Sequence, residues 1–500
     1  MARTQLIKSQ KELGALADLM AEEIKGSENN VSRYMRVIYE GVTFINGHKS
    51  EWYTTESNFN KEIMDKGVYT KTNIRDFNLS DFKEIAVARD LQEHRFKFSL
   101  KGIPLPTDER THFEPIPSDI YSYDDEIREF TRAHKSSGLS RVLCIEQRII
   151  VNSKGGKFIE SVPFFRLNYS QGYNPIPTNR DLSVVCNSDE DIKNLTHLIK
   201  YIADPTPDKR IKKAGTFSKA FEELYKISSL KFGSLEDAGI PLSELYNIIM
   251  LTGVPAHEIF GHHFEEPIKF LDFGESGTFK YGQNIQNKDL ILKDNPEQQV
   301  AGFRVHGFSH FDAYGRKRQE RIHIKDGKVT GFLGSEYADP ENLKNFLNLE
   351  KSQFVGNAVQ YVDGYFPQPR MSCTVLDGPT EDVDLEGKVL LVSHEGHTQP
   401  QDKTYMVKSA EAYIIKNGEP LKVIPLQVTG GINQALANTV LLPDESYQAG
   451  MCGKYEPIYN PQSEGDAQAP VSQLTKSQMW EGQQVYPLPI SDIHLKVLQY

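Results

Sequence analysis

The chain has 500 residues, 38% of them hydrophobic and 10% aromatic, so it is too long for one ordinary core and predicts two or three packed domains. Its formal net charge of −11 argues against a general binder of nucleic acid or of anionic membranes, because contacts to phosphate need a basic face. No window approaches about 18 consecutive apolar residues, the first ten residues carry no signal-like apolar run, and the four cysteines form no C-x-x-C pair. A cytoplasmic chain without membrane spans is expected.

Gln10 to Lys25 carries Leu13, Leu16, Leu19 and Met20 at helical spacing, which predicts an amphipathic helix. Tyr34 to Val42 and Glu51 to Thr55 read as strands, whereas the prolines and charges between Pro104 and Tyr121 predict a loop. Arg141 to Ile145 and Arg148 to Asn152 read as two further strands, the second entering an Asn152-Ser153-Lys154-Gly155-Gly156 turn. Ala203 to Lys209, polar and with two prolines, is the best linker candidate. Pro241 to Met250 reads as a short buried helix, interrupted by Thr252-Gly253-Val254-Pro255. A new helix should start at Pro255, which suits a first turn, and must end by Pro267. From about residue 300 to 440, short runs alternate with Gly, Asn and Asp turns, as at Asp326-Gly327 within Ile322 to Val329, so this region is expected to be β-rich. The Gln-rich and Pro-rich stretch from Gln462 to Tyr486 predicts an extended surface segment. The chain thus reads as α/β (α+β), with an N-terminal α/β domain over 1–225 and a C-terminal β-rich domain over 226–500.

The most informative segment is His257-Glu258-Ile259-Phe260-Gly261-His262. Two imidazoles and a carboxylate next to the first are what metal-assisted hydrolysis requires: the imidazoles hold Zn²⁺ and the carboxylate takes a proton from water. In the common H-E-x-x-H motif the histidines are i and i+4, about 40° apart on a helix, and reach one metal. Here they are i and i+5, roughly 140° apart on a regular helix. For both to share an ion, the turn must widen as in a π-bulge or the helix must open at Gly261. His263 follows at i+6, where a surface or hydrogen-bonded supporting role is expected. Two histidines and a water leave a tetrahedral zinc one ligand short. Cys452, set between Gly450 and Gly453 with Lys454 beside it, can supply that ligand as a thiolate. The histidines of Ser393-His394-Glu395-Gly396-His397 are rivals, Cys373 is another, and Glu275 is a weaker one.

His257 to His262, Phe311-Asp312-Ala313-Tyr314-Gly315, Pro369-Arg370-Met371-Ser372, Ala410 to Gly418 and Met451-Cys452-Gly453-Lys454 occur in this order. The series resembles the TldD/PmbA family of metallopeptidases, historically called modulators of DNA gyrase. The likeness is clear over about residues 235–456 and fainter at Ile149 to Gly156. It implies zinc held by His257, His262 and Cys452, with Glu258 as general base. It also implies a dimeric assembly that encloses the site, formed with a second copy or with a paralogue. Of the family's two branches, one keeps the metal motif and the other has lost it and serves as a partner subunit; this chain resembles the first. Leu245 to Thr252 looks helical where the family has a strand-like run, Cys373 stands where an Asn is common, and the segment after Lys454 is long. These departures bear on substrate specificity more than on the metal.

The expected function is a zinc metallopeptidase acting on amide bonds in unfolded or flexible peptides. The alternatives are a non-catalytic peptide-binding partner subunit of a TldD/PmbA heteromer, or a biosynthetic amidase on a small peptide-like conjugate. Arg370 can bind a substrate carboxylate or support the site, although an arginine in a β-rich region more often makes a structural ion pair.

Overall fold

The computed structural model describes residues 7–27, 29–63, 68–73, 90–93, 104–118, 123–135, 137–171, 178–195, 246–252, 257–265, 279–334, 355–361, 367–399, 404–423, 426–454 and 467–487, with a few positions between 219 and 229 and at 344–345. The fold is mixed α/β, mostly strands with a few helices, with one large sheet built from strands between residues 30 and 185 and another from strands between 246 and 487.

The first helix, Gln10–Ile24, begins at a capping box in which Ser9 and Glu12 satisfy each other's backbone N–H groups. Leu13, Leu16, Ala17, Met20 and Ile24 are buried against Tyr34, Phe59, Ile149, Val151 and Ile159 of the first sheet. Each large apolar side chain so covered contributes about 1.5–3 kcal/mol. Among the described residues, that sheet has eight strands. Its centre is the antiparallel set His48–Ile63, Asn30–Ile45, Ser137–Asn152 and Lys157–Gln171. Two corrections to the sequence reading arise here. The runs at Arg141 and Arg148 belong to one continuous strand, because Asn30–Ile45 and Lys157–Gln171 pair with it along nearly its whole length. The expected loop between Pro104 and Tyr121 contains a strand, Glu109–Phe113, which pairs in parallel with Lys157 to Ser161.

Among the described residues, the second sheet has eleven strands. Part of it closes on itself: Tyr246–Thr252, Val389–Gln399, Thr404–Lys416, Leu426–Gly431 and Ala467–Pro487 pair in a ring, the last strand returning to the first. Residues 246–250, expected as part of a helix, are therefore strand. A short apolar run is ambiguous by periodicity, and here hydrogen bonding on both edges decides it. The expected surface tail likewise becomes, from Ala467 to Pro487, a strand paired with the preceding strand Val440–Lys454 and with three others farther upstream. The hairpin at Arg321–Lys325 and Lys328–Val329 agrees with the sequence: Asp326 and Gly327 both have positive φ, as a two-residue primed turn demands.

The two sheets share a core. Ile38, Leu143, Phe165 and Val184 of the first pack with Val305, Val375 and Tyr447 of the second half. Val184 and Val305 form a β-bridge, and the Tyr447 hydroxyl donates to the Ser183 carbonyl while accepting from His306 N–H at 3.2 Å. Among the described residues, no helix is long and apolar enough to cross a membrane. The linker candidate at 203–209, Glu275 and the segment 455–466 lie outside the described residues.

Candidate metal centre

The segment His257–Gly261 is a turn of π-helix, followed by a short α-helical turn, His262–Glu265. Hydrogen bonds from i to i+5 bring residues five apart onto one face, which a regular helix would keep well apart. The His257 and His262 rings accordingly lie side by side, their centroids 4.5 Å apart. Gly261 makes this possible by close approach. A Cβ there would lie 2.9 Å from His257 Nδ1, 2.9 Å from Met371 Sδ and 3.3 Å from Thr374 Oγ1.

The strand Val440–Lys454 brings Cys452 to the same point, its Sγ 3.3 Å from His262 Nε2 across 190 residues of sequence. One ligand atom from each of His257, His262 and Cys452 lies within 4.8 Å of the others. His257 and Cys452 are buried and His262 is partly exposed. Two imidazoles and a thiol are the donor types that zinc prefers. Tetrahedral bonds of ordinary length put N and S about 3.6 Å apart, so the observed spacing fits an ion.

Each imidazole is oriented by a hydrogen bond at Nδ1. His262 Nδ1 donates to Glu265 Oε2 at 2.9 Å. His257 Nδ1 donates to Thr374 Oγ1 at 3.0 Å, and that hydroxyl donates onward to Met371 Sδ at 2.9 Å. These bonds place both protons on Nδ1 and leave Nε2 as the electron-pair donor of each ring. Burial pushes the Glu265 carboxyl up, but the Arg370 guanidinium and the two imidazoles outweigh it and hold the group well below the usual carboxylate range. Burial works to lower the Arg370 guanidinium, which Glu265 and Cys452 raise instead. The backbone that carries these groups is itself pinned: Asp294 Oδ1 accepts from Ser372 N–H at 2.7 Å and Cys373 N–H at 2.9 Å.

Among the described side chains, the other sequence candidates are not part of this ligand group. His263 is buried, in edge-on contact with Phe279. Arg370 is also fully buried, so neither reaches solvent in this structure. Cys373 packs in the core between the two sheets. His394 and His397 lie in the strand Val389–Gln399 and Glu258 lies in the π-turn, but the described residues do not include their side chains. Sequence reasoning missed Glu265 and Thr374. Glu265, three residues after His262 on the same turn, had a legible signal in its spacing. Thr374 had none, because only the tertiary fold brings it to His257.

Residues 249–468 match the family model described as the PmbA/TldA metallopeptidase C-terminal domain. A curated Archaeoglobus fulgidus protein described as a metalloprotease is 26% identical over 244 residues, 47% of this chain and 53% of that protein. The chain thus spans about half the length of the curated relative it matches. Among solved structures, TldE from Thermococcus kodakarensis superposes with a TM-score of 0.60 at 13% identity, covering 95% of this chain and 99% of that one. A Bacteroides thetaiotaomicron protein described as a proposed modulator of DNA gyrase gives a TM-score of 0.58 at 14% identity over 97% of this chain and 100% of that one. The likeness in fold therefore extends through the N-terminal half, which the family model does not cover.

Proposed function

This chain belongs to the TldD/PmbA family, and from that premise we propose that it is a zinc-dependent metallopeptidase hydrolysing amide bonds in unfolded or flexible peptides. The observation that carries the reading is the convergence of His257, His262 and Cys452 from two distant segments, with donor chemistry suited to zinc. Bound there, zinc supplies Lewis acidity, which activates water and polarises a carbonyl. Thr374 and Glu265 hold the imidazoles with Nε2 presented to the ion. Glu258, next to His257, takes the proton of the attacking water and passes it to the departing amine. The partial exposure of His262 supports substrate entry on its side of the site. The fold likeness to TldE supports assembly with a paralogous subunit, and four free thiols agree with the cytoplasm.

The test is zinc quantification together with mass spectrometry of products from an unstructured peptide mixture, on wild type and Glu258→Gln. The amide keeps the shape of Glu258 but cannot accept a proton at neutral pH, so the variant should retain zinc while losing about 10²–10⁴-fold in hydrolysis. Near-normal cleavage by the metal-loaded variant would refute the general-base role. A wild type that binds zinc and peptides without cleaving them would favour a non-catalytic partner subunit.

A further inference from the structure

The ligands of the candidate centre come from two distant segments: the consecutive turns His257–Gly261 and His262–Glu265 carry the imidazoles, and the strand Val440–Lys454 carries the thiol. Their spacing must be kept by something other than chain connectivity, since 190 residues separate Cys452 from His262. We propose that Arg370 is a positioning residue that locks the thiol strand to the imidazole turn and so sets the spacing of the three ligands; this rests on the metal-site reading above.

The guanidinium reaches both elements at once. Nη2 donates to the backbone carbonyl of Cys452 itself at 2.9 Å. Nε lies 3.6 Å from Glu265 Oε1, and the other oxygen of that carboxylate accepts from His262 Nδ1 at 2.9 Å. Glu265 Oε1 also accepts the N–H of Met371, the residue after Arg370, at 2.9 Å. The path from thiol strand to imidazole is thus carbonyl, guanidinium, carboxylate, ring.

The anchor is rigid. The Arg370 N–H donates to the Asn357 carbonyl at 3.1 Å and its carbonyl accepts from Arg318 Nη2 at 2.9 Å. Both Arg370 and Glu265 are 0% exposed, so the pair is not screened by solvent and cannot exchange partners with it. A planar fork is suited to bridging two acceptors in fixed directions, whereas a lysine ammonium on a flexible stem is a point charge that cannot hold both. Partners that orient metal-binding residues commonly account for 10–100-fold in metal affinity.

The experiment compares wild type, Arg370→Lys and Glu265→Gln in three readouts: apo-protein melting, cobalt(II) affinity by chelator competition, and the absorption spectrum of the cobalt-loaded protein. The last reports ligand geometry through its d–d and thiolate charge-transfer bands. We expect either variant to bind cobalt at least tenfold more weakly and to show shifted bands while the apo-protein still melts cooperatively. Should Arg370→Lys not fold, Glu265→Gln, which preserves shape and removes the charge, carries the same expectation. Cobalt affinity within threefold of wild type with unchanged bands overturns the lock and leaves the metal site standing. A wild type that takes up no cobalt overturns the metal-site reading and this inference with it.

Discussion

Replacing Gly261 by alanine sets two physical effects against each other at the candidate centre. Helix propensity favours alanine over glycine by about 1 kcal/mol, and Gly261 does not have a positive φ, so the backbone alone predicts a more stable variant. The contacts predict the reverse. The added methyl would lie 2.9 Å from His257 Nδ1 and 2.9 Å from Met371 Sδ, against an ordinary van der Waals separation of about 3.5–4.0 Å. One or both must move by more than half an ångström. Met371 is flexible, but its sulfur accepts from Thr374, whose oxygen holds the His257 ring, so moving either group disturbs the same chain of bonds. Overpacking of a dense site costs about 1–3 kcal/mol, which equals or exceeds the propensity gain. A ring displaced on that scale leaves the ligand geometry, and loss of an orienting contact carries roughly a 10–100-fold cost in metal affinity. The assay is zinc affinity by chelator competition, with melting of the metal-free protein measured beside it. A Gly261→Ala protein that melts higher and binds zinc as tightly as wild type would show that the site does not need the missing side chain.

Two further outcomes are expected. Cys452→Ser should release zinc readily to a chelator, whereas Cys144→Ser and Cys186→Ser should not, since burial pushes both of those thiols well up and keeps them protonated; zinc retained by Cys452→Ser would remove the thiol from the ligand set. His306, between the sheets and 2.8 Å from Ser183 Oγ, is pushed down to about 3 by burial, with Arg166 adding to the effect. Its folded value lies below the unfolded value of about 6.5, so the unfolded chain binds more protons in that window and stability falls as pH drops through it. At pH 5 this amounts to about 2 kcal/mol, from 1.5 pH units at about 1.36 kcal/mol each. His306→Gln should therefore lose less stability than wild type between pH 7 and pH 5, measured by local hydrogen exchange over residues 300–310; an unchanged acid slope would remove His306 as the cause.

The donor types were legible in the sequence, because His257, His262 and Cys452 stand in a recognisable order of motifs and an i, i+5 pair demands a widened turn. The first helix and the 326–327 hairpin were legible too, since a capping box, a 3.6-residue stripe and an Asp-Gly pair act over a few residues. What the sequence could not decide depended on partners far away along the chain. Residues 246–252 became a strand through neighbours at 389–392 and 478–483, and the polar stretch after 467 was drawn into the second sheet by three distant strands as well as by the strand just before it. The same holds for the site's supports. Thr374 meets His257 across 117 residues and Arg370 meets Cys452 across 82, and such contacts exist only once the strands of the second sheet have assembled. Local chemistry determined which side chains could hold a metal; the tertiary fold alone decided that they meet, and what holds them there.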